Sequence, residues 1–191
     1  MPLQLPLHHR LDRASGRAGT SLLELLIAMS VMVAGLLSYL LSFSESVSLS
    51  EVNRETVIAV QELRATLEEV RATDFDDVFA TYNEADADDP GGAGTAVGAD
   101  FAVPGFTPQD GDADGMVGKI LFPTVDGQPD RLTETPTDDF PFLPRDLNLD
   151  GDAGDADVTA DCRLLPVVVR LEWSGRTGDR QLEIAALLTE L

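Results

Sequence analysis

Oxygen-bearing side chains recur at alternate positions in Asp146-Leu-Asn148-Leu-Asp150-Gly151-Asp152-Ala-Gly-Asp155-Ala-Asp157. Counting from Asp146, oxygens stand at positions one, three and five, a glycine at six and an acid at twelve. Calcium takes six to eight oxygens at about 2.3–2.6 Å, so a short loop must deliver carboxylates from alternate residues, and the glycine permits the sharp turn between them. In this reading Asp146, Asn148 and Asp150 ligate through side chains and Asp152 through its backbone carbonyl. Asp157 closes the loop through one oxygen or a water, being shorter than the glutamate usual there. No helical pattern flanks the segment, so a calcium loop without flanking helices is expected; a solvated acidic turn is the simpler alternative. Asp110-Gly-Asp112-Ala-Asp114-Gly115 repeats the first half of the pattern, but its twelfth position is Leu121, which cannot ligate.

The same inventory argues against catalysis. Cys162 is the sole cysteine, and the two histidines, His8 and His9, lie near the N-terminus. No Ser-His-Asp or Cys-His set can be assembled from later residues. The glycines of Gly91–Gly98 lack the lysine and flanking strand of a phosphate-binding loop. The chain is therefore not expected to be an enzyme. A formal net charge of −21 repels nucleic-acid phosphates and attracts divalent cations. Cys162 can form no intrachain disulfide and reads as an inert buried thiol.

What must position the acidic loop is read from the N-terminus onward. Arg10, Arg13 and Arg17 precede an apolar run, SLLELLIAMSVMVAGLLSYLLSF from Ser21 to Phe43. About 20 apolar residues span a hydrocarbon core as a helix. Glu24 interrupts the run, at a cost of about 2.5–3.5 kcal/mol at the bilayer centre and less near an end. A dozen large apolar residues at about 0.3–0.6 kcal/mol each outweigh it. The arginines keep the N-terminus cytoplasmic, so a single pass with the remainder outside the cytoplasm is expected.

The stretch Gly19-Thr20-Ser21-Leu22-Leu23-Glu24-Leu25-Leu26-Ile27-Ala28 resembles the prepilin cleavage and methylation motif of type IV pilins and type II secretion pseudopilins. The resemblance implies that residues 1–19 are a leader removed by a prepilin peptidase, which cuts after Gly19 and methylates the new N-terminal amine of Thr20. It makes Glu24 the fifth residue of the mature chain. Thr20 departs from the family, where phenylalanine usually stands first. By the same resemblance the expected partners are the peptidase, other pilin or pseudopilin subunits, as major or minor pilin, and an inner-membrane assembly platform. A buried acid needs a partner, and the amine of a neighbouring subunit would supply one only in the correct stagger, so Glu24 would set the assembly register. An uncleaved anchor carrying a calcium-binding or adhesive head that does not polymerise is the competing reading.

The expected fold is α+β and pilin-like. A long helix from Ser21 to about Thr73, some 75–80 Å at 1.5 Å per residue, has a transmembrane half over 20–44 and an amphipathic half over 45–73. Val52, Thr56, Val60, Leu63, Leu67 and Val70 mark its apolar stripe. A break in the serine-rich stretch Ser42–Ser50 is the alternative. Residues 74–160 read as an acidic, loop-rich region, with Asn83–Gly98 irregular, a short strand at Lys119–Pro123, and Phe101, Phe106, Phe140, Phe142 and Leu143 as core anchors. Over 161–191 a hairpin is expected. Val167, Val169, Leu171 and Trp173 alternate with polar or outward residues, Ser174–Asp179 form the turn, and Leu182, Ile184, Ala186 and Leu188 return.

Overall fold

The computed structural model describes residues 21–190. Gly19, Thr20 and the expected leader lie outside the described residues. By contacts the chain divides into two compact units, at Ser46/Val47.

One uninterrupted helix, α1 (Leu22–Ala72), runs through the boundary between them. The serine-rich stretch therefore does not break it. Upstream of that stretch, Ser30 and Ser38 bond back to the helix, donating their hydroxyls to the carbonyls of Leu26 and Ala34. In the first unit every residue from Ser21 to Ser46 is exposed, including Leu22, Leu26, Met32, Leu36 and Phe43. This part is long and apolar enough to cross a membrane.

In the second unit α1 continues with one buried stripe: Ala59, Leu63, Leu67 and Val70. The stripe passes through Ala59, while Thr56 is exposed and Val60 half-buried. Alanine carries a weak hydropathy signal, yet Ala59 is fully buried in the core. A short helix, α2 (Phe75–Tyr82), follows and buries Val78, Phe79 and Tyr82. Their helical spacing, i to i+3 and i+4, places them on one face.

Four strands, β1 (Asp100–Phe101), β2 (Gly118–Leu121), β5 (Leu164–Gly175) and β6 (Gly178–Thr189), form an antiparallel sheet in the order β1-β2-β5-β6. Two more, β3 (Thr124–Val125) and β4 (Gln128–Leu132), form a separate two-stranded ribbon. The architecture is α+β, with a long N-terminal helix and an antiparallel sheet, as the sequence led us to expect. The hairpin turn is tighter than expected: β5 and β6 pair without a break from Leu164↔Thr189 to Gly175↔Gly178, leaving Arg176 and Thr177 as the loop. Gly178 has φ 114°, which favours glycine. Val167, Val169, Leu171 and Trp173 are buried, and Ile184 and Ala186 stand opposite Val169 and Val167. They share one core with the α1 stripe, Phe79, Ile120, Leu132 and Leu147. Phe106 stacks on Trp173 at 4.9 Å between centroids, and Phe79 meets Phe122 edge-on.

Phe142 was expected in the core and is not there: it is 43% exposed, with φ 73°. Leu143, also expected there, does pack against the core. Asn83–Gly98 is irregular apart from a 3₁₀ turn at Asp86–Asp88. It is tied at its neck, where the Gly98 N–H donates to the Thr81 carbonyl at 3.1 Å. The hairpin tip is tied to α1. Arg176 pairs with Glu51 at 2.6 Å, Arg180 lies 3.8 Å from Glu55, and the Trp173 indole N–H donates to Glu55 at 3.5 Å.

Candidate functional site: a braced acidic loop

The acidic segment Asp146–Asp157 leaves the core at Leu147, which is fully buried. The Leu147 carbonyl accepts from both Arg163 N–H (2.8 Å) and Leu164 N–H (2.9 Å), so the far end of the loop returns to its start just as β5 begins. Above this neck the first half of the loop is organised as its residue types dictate. Asp146 accepts from the N–H of Gly151 at 2.8 Å and of Asp150 at 3.2 Å. Asn148 also accepts from Asp150 N–H, and Asp150 accepts from Asp152 N–H at 2.8 Å. Gly151 has φ 100°, the positive value this sharp turn needs. Short Asx side chains capturing amides two to five residues on is their usual turn chemistry.

The second half is arranged differently. Asp157, at position twelve, pairs with Arg131 at 2.9 Å and accepts from the hydroxyl and N–H of Thr159. Those hydrogen bonds and the Arg131 guanidinium hold its carboxyl below the usual range. Asn148 donates to Asp155 (3.4 Å) and Asp161 (3.3 Å). Lost hydration, then the negative charges of Asp150 and Glu134, hold the Asp155 carboxyl above the usual range. The structure thus brings Asp146, Asn148, Asp150 and Asp152 together on one turn and places Asp157 apart, against Arg131. Among the described residues no group of three or more acidic, histidine or cysteine side chains is arranged to hold a metal ion. The carboxylates of Asp146 and Asp150 accept from backbone amides within the turn.

Sequence reasoning missed the residue that holds the loop. Glu134, just after β4, is fully buried. Its carboxylate accepts from Leu147 N–H at 2.6 Å and Asp155 N–H at 3.0 Å. Its own N–H donates to the Asp155 carbonyl, which also accepts from the Thr133 hydroxyl. A buried carboxylate must be hydrogen-bonded, and here two backbone donors satisfy it. Nothing in Thr133-Glu134-Thr135 marks this role, because both partners lie far along the chain.

The chain matches no family model, no curated protein and no solved structure. The sites therefore rest on their own residues.

Near the N-terminus, Ser21 caps α1: its Oγ accepts from Glu24 N–H at 3.2 Å. Glu24 is thus the third helical residue of an S-x-x-E capping pattern, exposed in the first turn. An acid there also faces the positive end of the helix dipole. The half-pattern at Asp110–Gly115 is exposed, with Asp114 accepting from Met116 N–H at 2.7 Å. Beside it Asp100 is pushed above its ordinary range by burial, partly offset by Lys119. Lys119, the sole lysine, pairs with Glu84. Cys162 is half-buried, and burial pushes its thiol up to about 11, which keeps it protonated and unreactive at neutral pH. On the outer face of the sheet a cleft of about 470 Å³ is lined by Val168, Arg170 and Glu183 and by the segment Pro136–Pro141.

Proposed function

We propose that the chain is a pilin-like structural subunit of a type II secretion pseudopilus or a type IV pilus, acting by assembly rather than catalysis. The observation that carries this reading is the change of character along α1. Its first part is apolar on all sides and wholly exposed, and its continuation buries one stripe under a small antiparallel sheet. A helix apolar all round has to be covered by lipid or by other helices. In this proposal the membrane covers it first and neighbouring subunits cover it afterwards. Prepilin peptidase cuts after Gly19, Thr20 becomes the methylated N-terminus, and Glu24 pairs with a neighbouring subunit's amine. The head lies outside the cytoplasm, and an inner-membrane platform drives assembly.

Mass spectrometry of the protein from native membranes tests this reading. It requires a chain beginning at methylated Thr20. An intact chain retaining residues 1–19 would overturn it in favour of a simple anchor, and a bulky substitution at Gly19 should block the cut.

Calcium is the cation this proposal assigns to the Asp146–Asp157 loop. What supports it is the ordered first half: Asp146 holds the Gly151 amide across a positive-φ glycine, as a calcium loop of this spacing requires. Asp157 would have to exchange Arg131 for the ion.

A further inference from the structure

We propose that the free edge of β6 binds an extended, basic segment of a partner protein, which adds to the sheet as a fifth strand. The sheet order leaves β6 as a terminal strand, and the direction of its backbone groups follows from the ladder. Glu190 N–H donates to the Arg163 carbonyl, while Glu172 and Ser174 direct their N–H groups away from β6, to Val117 and Thr107. With the unbroken register, residues 178, 180, 182, 184, 186 and 188 bond to β5. Residues 179, 181, 183, 185 and 187 therefore present N–H and carbonyl groups outward. Among the described residues no hydrogen bond satisfies these amides.

Edges of this kind are usually blunted by shortness, proline, charged side chains (lysine above all) or a bulge. The other edge, β1, is two residues long. β6 is twelve, against a typical five or six, and has no proline, no lysine and no register shift. Such an edge is a template for strand addition, where main-chain bonds supply affinity and alternate side chains supply specificity.

Charge selects the occupant. The outer-face side chains along the edge run Asp179, Gln181, Glu183, Ala185 and Leu187, with the first three exposed. Asp138 and Asp139 line the cleft shared with Glu183 on that same face, where Arg170 pairs with Glu183 at 3.1 Å and leaves the other acids in excess. A partner strand gains cross-strand attraction by placing basic residues opposite the acidic half and apolar residues opposite Ala185 and Leu187. A second copy of the chain brings the same acids and a net charge of −21, so repulsion opposes pairing between two such edges.

The test uses the full chain in detergent micelles and a synthetic nine-residue peptide, with lysine at alternate positions in one half and valine at the matching positions of the other. We expect binding by calorimetry, with at least tenfold slower amide exchange at Gln181, Glu183, Ala185 and Leu187. Replacing lysine by glutamate, or N-methylating the peptide amides that face β6, should weaken binding at least tenfold. Ala185→Pro should do the same, since that N–H points away from β5 and its loss leaves the sheet's own ladder whole. Equal binding of the N-methylated peptide would reduce the interaction to charge alone and overturn strand addition, whether or not Ala185→Pro folds. Concentration-dependent protection of the same amides without peptide would mean that a second copy takes the edge, and absence of binding would also overturn the proposal.

Discussion

Glu134 accepts a 2.6 Å hydrogen bond from the N–H of Leu147, and both residues are fully buried. With the second bond from Asp155 N–H, one carboxylate satisfies two donors belonging to the two halves of the acidic loop. Leaving a buried donor unsatisfied costs about 1–3 kcal/mol. Glu134→Ala should therefore lower unfolding stability by about 2–5 kcal/mol, and Glu134→Gln by less, since its amide retains one acceptor. Urea unfolding followed through Trp173, the sole tryptophan and a buried one, reads this directly. A change under about 0.5 kcal/mol for Glu134→Ala would show that the loop is held by other means.

Calcium should raise the melting temperature of the full chain and a chelator should lower it, with magnesium a poor substitute. At a hundredfold excess over the dissociation constant the gain is about 2.7 kcal/mol. Asp150→Asn should abolish most of the response while keeping a neutral acceptor for Asp152 N–H. Asp146→Ala should also cost stability without metal, about 1 kcal/mol, because its carboxylate holds Gly151 and Asp150 amides. Melting indifferent to chelator and calcium would reduce the segment to a solvated turn.

Opposite pH signatures are expected at two aspartates of one loop. Asp157 has a lowered pKa in the fold, so it stabilises above the unfolded value near 3.8 and the benefit is lost as pH falls through the folded value. Asp155 has a raised pKa: the folded state binds its proton more tightly, so its ionisation opposes folding above that folded value, and the penalty fades as pH falls through it. At neutral pH Asp157→Asn should lower the melting temperature and Asp155→Asn should raise it. Both differences should shrink below about pH 4. Melting curves across pH 3–7 for the three proteins check the signs.

Glu24→Val should leave membrane insertion intact, even easier by up to about 2.5–3.5 kcal/mol, and impair incorporation into filaments. Ser21 still caps the helix in this variant, because the captured group is the backbone N–H of residue 24. Filament yield after shearing, compared with membrane content, separates the two effects. Normal yield would leave Glu24 as a capping residue with no register role.

Leu67→Ala, in the buried stripe of α1, should cost about 2–5 kcal/mol. Arg176→Ala should cost under about 1 kcal/mol, since its pair with Glu51 is exposed. The ratio of the two losses tells whether packing or charge holds the hairpin to the helix.

Where residues repeat at a fixed period, the sequence was readable. Apolar spacing of three and four marked α1, and alternation marked β5 and β6, because each pattern follows from burying one face of a regular element; Val168, expected to face outward, is buried as well, so the alternation in β5 holds only from Val169 to Trp173. β1, β3 and β4 are two to five residues long, too short for any period to show. α2 was hidden by its two aspartates and by an N-cap, Asp74, that makes no side-chain hydrogen bond. In the candidate site the local turn from Asp146 to Asp152 was legible from residue types at fixed spacing. The brace at Glu134 and the Arg131–Asp157 pair were not, since both join residues distant in sequence. Phe142 misled because large aromatic residues are usually buried, and here Leu143 takes the inward place.

The neck between Thr81 and Gly98 has a practical side. Sixteen residues, from Tyr82 to Val97, leave and re-enter the head where the Gly98 N–H meets the Thr81 carbonyl; Glu84, near the start, also pairs with Lys119, and none of the residues beyond Asn83 is buried. Doubling the length of such a loop costs about 0.6 kcal/mol in closure entropy. The segment is therefore a natural display position: an epitope or reporter peptide inserted between Ala93 and Gly94 would project from the head while the sheet and the α1 stripe keep their contacts.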